Sequence, residues 1–171
     1  MIISLTGFMG CGKSSVGREL SKLLCCPFMD LDSVIEEREG RSIPEIFATE
    51  GEAAFRRMEV EVLRKCIYEQ ASDKLVVALG GGTVMTEECA KIVHEKTVCI
   101  YLRASVETLM DHLAGEVDNR PMLAGNLRTR IEELMSIRSA TYEKTAHIMI
   151  DTDGKTIEEI AREISIKGLF I

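Results

Sequence analysis

The chain has 171 residues, 46% of them hydrophobic and 29% charged, the balance of one globular domain with enough apolar material for its own core. Its formal net charge of −7 argues against broad nucleic-acid binding, which needs a basic face, and leaves any anionic ligand to be held by a few local cations. No apolar run approaches the ~20 residues of a membrane helix, and an apolar strand starting at residue 2 leaves no room for a targeting peptide, so the expected location is the cytoplasm. The six cysteines form no C-x-x-C pair and read as reduced thiols, not as disulfides or a zinc site.

In chain order, residues 2–6 (IISLT) form a short β-rich run, long enough for a buried strand. Gly7, Gly10 and Gly12 let the backbone curl, and after Lys13 the apolar residues Val16, Leu20, Leu23 and Leu24 recur at helical spacing. Further strand-like runs lie at 27–30, 75–79, 97–102 and 146–151. Between them, Ser33 and Glu36 predict a capping box for a short helix, 52–69 a longer helix, Thr86 a helix through 94, and Ser105 one through about 113. Leu127, Ile131 and Leu134 mark a helix over 127–142, and Thr156 with Glu159 opens the last one. Regular β/α alternation with continuous apolar strands predicts an α/β fold, a three-layer α/β/α sandwich around a parallel sheet. In such sheets ligands bind beyond the carboxyl ends of the strands, so site residues are expected just after strands.

The first turn satisfies that expectation. Gly7-x-x-x-x-Gly12-Lys13-Ser14, between a strand and a helix, fits a phosphate-binding loop. Curled amides and a helix N-terminus attract a phosphate chain, Lys13 would reach the β- and γ-phosphates, and Ser14 would ligate Mg²⁺. A chance match to this pattern in such a chain falls below roughly 1%. ATP-binding candidates are therefore Gly10, Cys11, Gly12, Lys13, Ser14 and Ser15. Asp30 and Asp32 follow the second strand, and alternation along an extended chain places both carboxylates on one side. One would serve the Mg²⁺ shell and the other orient a substrate hydroxyl or take its proton. Solvated loop acids are the bland alternative.

Gly80, Gly81 and Gly82 follow the third strand and offer bare backbone to an anion, where a simple flexible turn would need only one glycine. On the 52–69 helix, Phe55, Met58, Val62, Leu63, Cys66 and Ile67 define the apolar arc, and Arg56 falls inside it with Glu59. A buried arginine requires a carboxylate or phosphate partner, and a purely internal Arg56–Glu59 pair is the competing reading. Arg138 ends the stripe Leu127, Ile131, Leu134 and also points inward. Residues 115–126 have no period and suggest a lid with glycine hinges, from which Arg120 would close over the phosphates. His94, His112 and His147 have no metal-ligand spacing and read as surface or edge residues.

The constellation resembles the shikimate kinase family nearly end to end. The resemblance is carried by Gly7–Ser14, Asp30-Leu31-Asp32, Gly51-Glu52 with Phe55-Arg56-Arg57-Met58-Glu59, Gly80-Gly81-Gly82, Arg120-Pro121-Met122-Leu123, and Arg138 with Tyr142. It implies a nucleoside-monophosphate-kinase-like fold with a five-stranded parallel sheet, a single kinase domain over 1–171, a substrate-binding region at about 32–63 and a lid at about 113–126. It implies transfer of the ATP γ-phosphate to the 3-hydroxyl of shikimate, with Mg²⁺, in aromatic amino acid biosynthesis. Catalytic roles would fall to Lys13, Asp32 and Arg120, and metal binding to Ser14 and Asp30. The substrate would meet Asp32, Arg56, Arg138 and the Gly80, Gly81 and Gly82 turn, with Phe47 and Phe55 against its ring.

Two departures stand out. The lid carries Met122 where the family usually has leucine, and the stretch Met110–Ala114 lacks an arginine that many members use for adenine, where His112 would substitute. Cys11, at a helix N-terminus near Lys13, is expected to react with thiol reagents, with ATP protecting it. A gluconate-type or nucleotide kinase remains a rival, though few aromatics and no Trp disfavour a second base. A non-catalytic ATP-sensing module remains another, with no reason to keep Asp32, Arg56 and Arg138 together. The expected partners are ATP and shikimate, with no nucleic acid or membrane, and the chain is expected to be a monomer.

Overall fold

A computed structural model describes residues 1–114 and 125–168. Five parallel strands form one sheet: β1 (Ile2–Thr6), β2 (Phe28–Asp30), β3 (Leu75–Ala78), β4 (Val98–Arg103) and β5 (Ile148–Asp151), in the order β2-β3-β1-β4-β5. Among the described residues there are seven α-helices: α1 (Lys13–Leu23), α2 (Leu31–Glu39), α3 (Ile43–Tyr68), α4 (Glu87–Lys96), α5 (Val106–Leu113), α6 (Leu127–Thr145) and α7 (Ile157–Lys167). A single 3-10 turn at Thr83–Met85 precedes α4. The central strands are buried on both faces, as their continuous apolar sequences require, so the α/β expectation holds. Two polar residues interrupt β1: the Ser4 hydroxyl meets Thr97 Oγ1 at 2.6 Å, which in turn donates to the Val93 carbonyl, while the buried Thr6 hydroxyl has no partner among the described residues.

Two helix starts differ from the sequence expectation, each for a local reason. The short helix starts at Leu31, because Asp30 rather than Ser33 is its cap: Asp30 Oδ1 accepts from the Ser33 amide, while Glu36 reaches forward to the Ile43 amide. The longer helix has an additional first segment from Ile43, opened by a Ser42–Glu45 capping box with Pro44 in its first turn. Gly51, at φ 83 and ψ 173, breaks the helix between that segment and the part predicted from residue 52. Thr86 sits at the α4 N-cap without a side-chain cap bond. The Thr156–Glu159 capping box of α7 forms as expected.

Because every strand is parallel, Thr6, Asp30, Ala78, Arg103 and Asp151 all end on the same edge of the sheet. From β1 the chain places β3 and β2 on one side and β4 and β5 on the other, so a crevice opens at the carboxyl end of the central strands. Helix α1 packs on α7, while α3, α4 and α6 pack in succession and α5 rests on α6.

Candidate active site

A cavity of about 860 Å³ lies at that edge. It is bounded by the loop from Met9 to Val16, by Asp30, Asp32 and Gly81, and by the turn after β5 with the start of α7. The loop after β1 can curl because Gly10 and Gly12 hold φ of +80 and +96, the left-handed region that side chains avoid. Gly12 caps α1 without a side-chain bond, so the first-turn amides of that helix are not engaged by its cap residue. Lys13 is only 8% exposed, and its ammonium donates to the carbonyls of Gly7 (2.8 Å) and Phe8 (3.0 Å). Cys11 packs beneath, 3% exposed, with Sγ 3.9 Å from Lys13 Nζ.

Ser14 donates to Asp30 Oδ2 across the cavity wall. A hydroxyl and a carboxylate side by side make the kind of hard-oxygen pair that Mg²⁺ takes when phosphates and water supply its remaining ligands. No cluster of three His, Cys, Asp or Glu side chains forms a metal site among the described residues. Asp32 stands in the first turn of α2, not on extended chain as alternation suggested. The two acids nevertheless share the cavity, one ending the strand and the other opening the helix.

The triple glycine is explained by approach distance rather than by φ. A Cβ on Gly80 would lie 2.8 Å from Asp32 Oδ1 and 3.1 Å from Glu59 Oε2. One on Gly82 would lie 2.3 Å from Arg56 Nη2, and one on Gly81 would lie 3.6 Å from Arg138 Nη1. Gly80 and Gly82 thus clear room for charged side chains, while Gly81 clears room for the Met9 amide, 3.2 Å from where its Cβ would fall, with Arg138 at ordinary contact distance.

Those side chains are held differently. Arg56 donates to Glu59 Oε1 at 2.8 Å and Glu52 Oε1 at 3.3 Å, with its guanidinium 5.2 Å from the Phe55 ring centroid. Burial works against its charge, but Glu59 and then Glu52 outweigh burial and raise its pKa above the ordinary value. Glu59 is fully buried and also accepts from Thr83 Oγ1 at 2.6 Å. Phe47 packs on Phe55 at 5.1 Å between centroids. Arg138 is 4% exposed, and its Nη1 has no hydrogen-bond partner among the described residues. Tyr142, one turn on, donates to the Gly81 carbonyl, and burial raises its phenol pKa well above the usual range.

A family model described as shikimate kinase matches residues 9–167. A shikimate kinase from Thermus thermophilus is 45% identical over 163 residues, covering 95% of this chain and 86% of the relative. The chain belongs to the shikimate kinase family. Among solved structures, shikimate kinase from Acinetobacter baumannii in complex with shikimate superposes with a TM-score of 0.93 at 34% identity, over 99% of this chain and 93% of the other. Shikimate kinase from Aquifex aeolicus gives 0.84 at 35% identity, over 100% and 99%.

In this shikimate kinase family member the cavity gathers some of the residues singled out from the sequence and not others. Gly10, Cys11, Gly12, Lys13, Ser14, Ser15, Asp30, Asp32 and Gly81 share one cavity wall. Arg56 and Arg138 come from mid-helix and converge on the glycine turn, so the rule that site residues follow strands does not find them. Arg120, with Pro121, Met122 and Leu123, lies outside the described residues. Sequence reasoning missed Thr83 and the far wall from Thr152 to Ile160, where it marked only the Thr156–Glu159 helix cap; the position after β5 is the signal that would have marked the wall. His112, read as a surface or edge residue or an adenine contact, bonds to the phosphate loop: its Nδ1 lies 2.6 Å from the Gly10 carbonyl.

Proposed function

We propose that the protein transfers the γ-phosphate of ATP to the 3-hydroxyl of shikimate, the reaction for which its family is named, as one kinase domain. The observation that carries the acceptor's chemistry is Arg138, a buried guanidinium with an unpartnered Nη1 beside Gly81. A buried unmet donor on a charged group is costly, and a carboxylate is its natural complement. Shikimate supplies that carboxylate on a small hydroxylated ring.

In this reading the loop amides from Gly10 to Ser15 hold the β- and γ-phosphates, and Lys13 exchanges its two carbonyls for phosphate oxygens. Arg56, Arg138 and the glycine turn hold the carboxylate, Phe47 and Phe55 flank the ring, and the region at about 32–63 forms the acceptor side. Asp32 orients the attacking hydroxyl and accepts its proton. Ser14 and Asp30 hold Mg²⁺, which offsets charge on the phosphates when bound. Phosphoryl transfer asks for positioning and charge compensation more than covalent help, and this residue set provides both.

The test is ADP release with Mg-ATP and shikimate, gluconate or AMP as acceptor. Release dependent on shikimate alone is expected. Turnover with gluconate or AMP and none with shikimate would reassign the acceptor.

A further inference from the structure

Helix α5 is secured without His112. Its Ser105 cap accepts from the Thr108 amide, the Ser105 amide is tied to Asp153 at 3.0 Å, and Glu107 pairs with Arg128 of α6 at 3.0 Å. Leu109 and Leu113 are buried in the core. His112 is exposed, lines the cavity beside the phosphate loop, and commits its Nδ1 to the carbonyl of Gly10. A carbonyl only accepts, so Nδ1 carries the proton whether the ring is neutral or charged. The peptide it grips belongs to a glycine at φ +80, which has no side chain of its own to fix it. The next residue, Leu113, occupies the space where a Gly10 Cβ would fall, 2.7 Å from its Cγ. Consecutive residues of α5 therefore pack on Gly10 and bond its carbonyl.

We infer that His112 is a positioning residue for nucleotide binding: it holds the Gly10 carbonyl out of the loop's hollow, where its lone pairs would oppose phosphate oxygens. The loop is thereby set for an anion before the anion arrives, which lowers the cost of binding. The inference rests on the phosphate-loop reading and is independent of the acceptor. It also separates two roles for His112, since a base contact and a loop latch predict different ligand dependence.

Binding of Mg-ADP and of Mg-tripolyphosphate, which has no base, is measured by calorimetry for wild type, His112→Ala and His112→Asn, without acceptor. Asn places an N–H near the Nδ1 position, whereas Ala leaves only the Leu113 packing. The Ala variant is expected to bind both ligands on the order of threefold to tenfold more weakly, the worth of one net hydrogen bond, and Asn to recover most of that. In steady state the Ala loss falls on KM for ATP rather than on KM for the acceptor or kcat. Equal weakening by Ala and Asn, a loss confined to Mg-ADP, or unchanged binding in the Ala variant would each overturn it. Failure of shikimate turnover would leave these binding outcomes readable, so the two readings fail separately.

Discussion

Arg138 and Glu59 are both buried charges at the glycine turn, yet they should respond in opposite ways to substitution. Glu59 has its internal partners in place, Arg56 and Thr83. Removing it in Glu59→Ala leaves the buried Thr83 hydroxyl without its acceptor and Arg56 with Glu52 alone, a loss of about 1–3 kcal/mol. Urea unfolding should show a midpoint below wild type. Arg138 leaves one donor unmet among the described residues, so Arg138→Met removes a cost along with a function. Its midpoint should equal or exceed that of wild type, while KM for shikimate rises at least on the order of tenfold. A large stability loss in Arg138→Met would mean that its fold partners outweigh the unmet donor. The same contrast explains why only part of the site was legible. Helical spacing places Arg56 and Arg138 inward and offers Glu59 to Arg56 from sequence alone, but it cannot show Thr83 on Glu59 or Gly81 beside Arg138, because those residues come from another element.

Among the elements, helix ends were the least legible part of the fold. The strands, the phosphate loop and the long apolar helices announce themselves through period and glycine punctuation. The segment from Ile43 to Glu50 does not, because Gly51 splits it from the stronger pattern that follows and only Ser42, Pro44 and Glu45 mark its start. Asp30 likewise hid its capping role behind a metal-site reading, since one oxygen takes the Ser33 amide and the other the Ser14 hydroxyl. The end of α1 supplies a test. Cys25 lies just past Leu24 at φ 50, and the amides of Cys25 and Cys26 bond back to the carbonyls of Lys22 and Ser21 in the pattern that usually ends in glycine. Cys25→Gly should therefore stabilise the protein by about 0.5–1 kcal/mol, from relief of the left-handed strain. A lowered urea midpoint would show that the Cys25 thiol, which reaches the Lys22 carbonyl at 3.7 Å, matters more than backbone strain. Cys25 is also the exposed thiol and Cys11 a buried one, so the reactivity expected of Cys11 should appear only after Cys25 is labelled.

At the scale of the whole molecule, the two ends of a parallel sheet divide their work. The carboxyl ends carry the cavity, while the amino ends of β4 and β5 carry a histidine pair joining strands to α4 and α6. His147 accepts from the Cys99 amide at 3.0 Å through Nδ1 and stacks on His94 at 4.6 Å, with the rings 9° apart. His94 Nδ1 faces the Thr145 carbonyl at 3.0 Å and so carries its own proton there. Protonating His147 at Nδ1 would set an N–H against the Cys99 N–H. Burial, and then the neighbouring His94, hold the His147 pKa below its ordinary value. The folded protein consequently binds fewer protons here than the unfolded chain, so stability is fully present above about pH 6.5 and declines as pH falls below it. A net charge of −7 works the other way, since acid relieves self-repulsion, but that term acts between exposed groups and is screened at about 0.15 M salt. Paired carboxylates such as Asp151 and Glu163 have depressed pKa values and lose their contribution only at lower pH. Between pH 7 and 5.5 His147 is the group whose lowered pKa makes stability fall with acid. The thermal midpoint of wild type should fall across that interval, and His147→Asn, which keeps an acceptor near Nδ1 without titrating, should flatten the fall. Parallel curves would assign the acid response elsewhere. Turnover per folded molecule at pH 7 should be the same in both proteins, because the pair stands at the end of the sheet opposite the cavity.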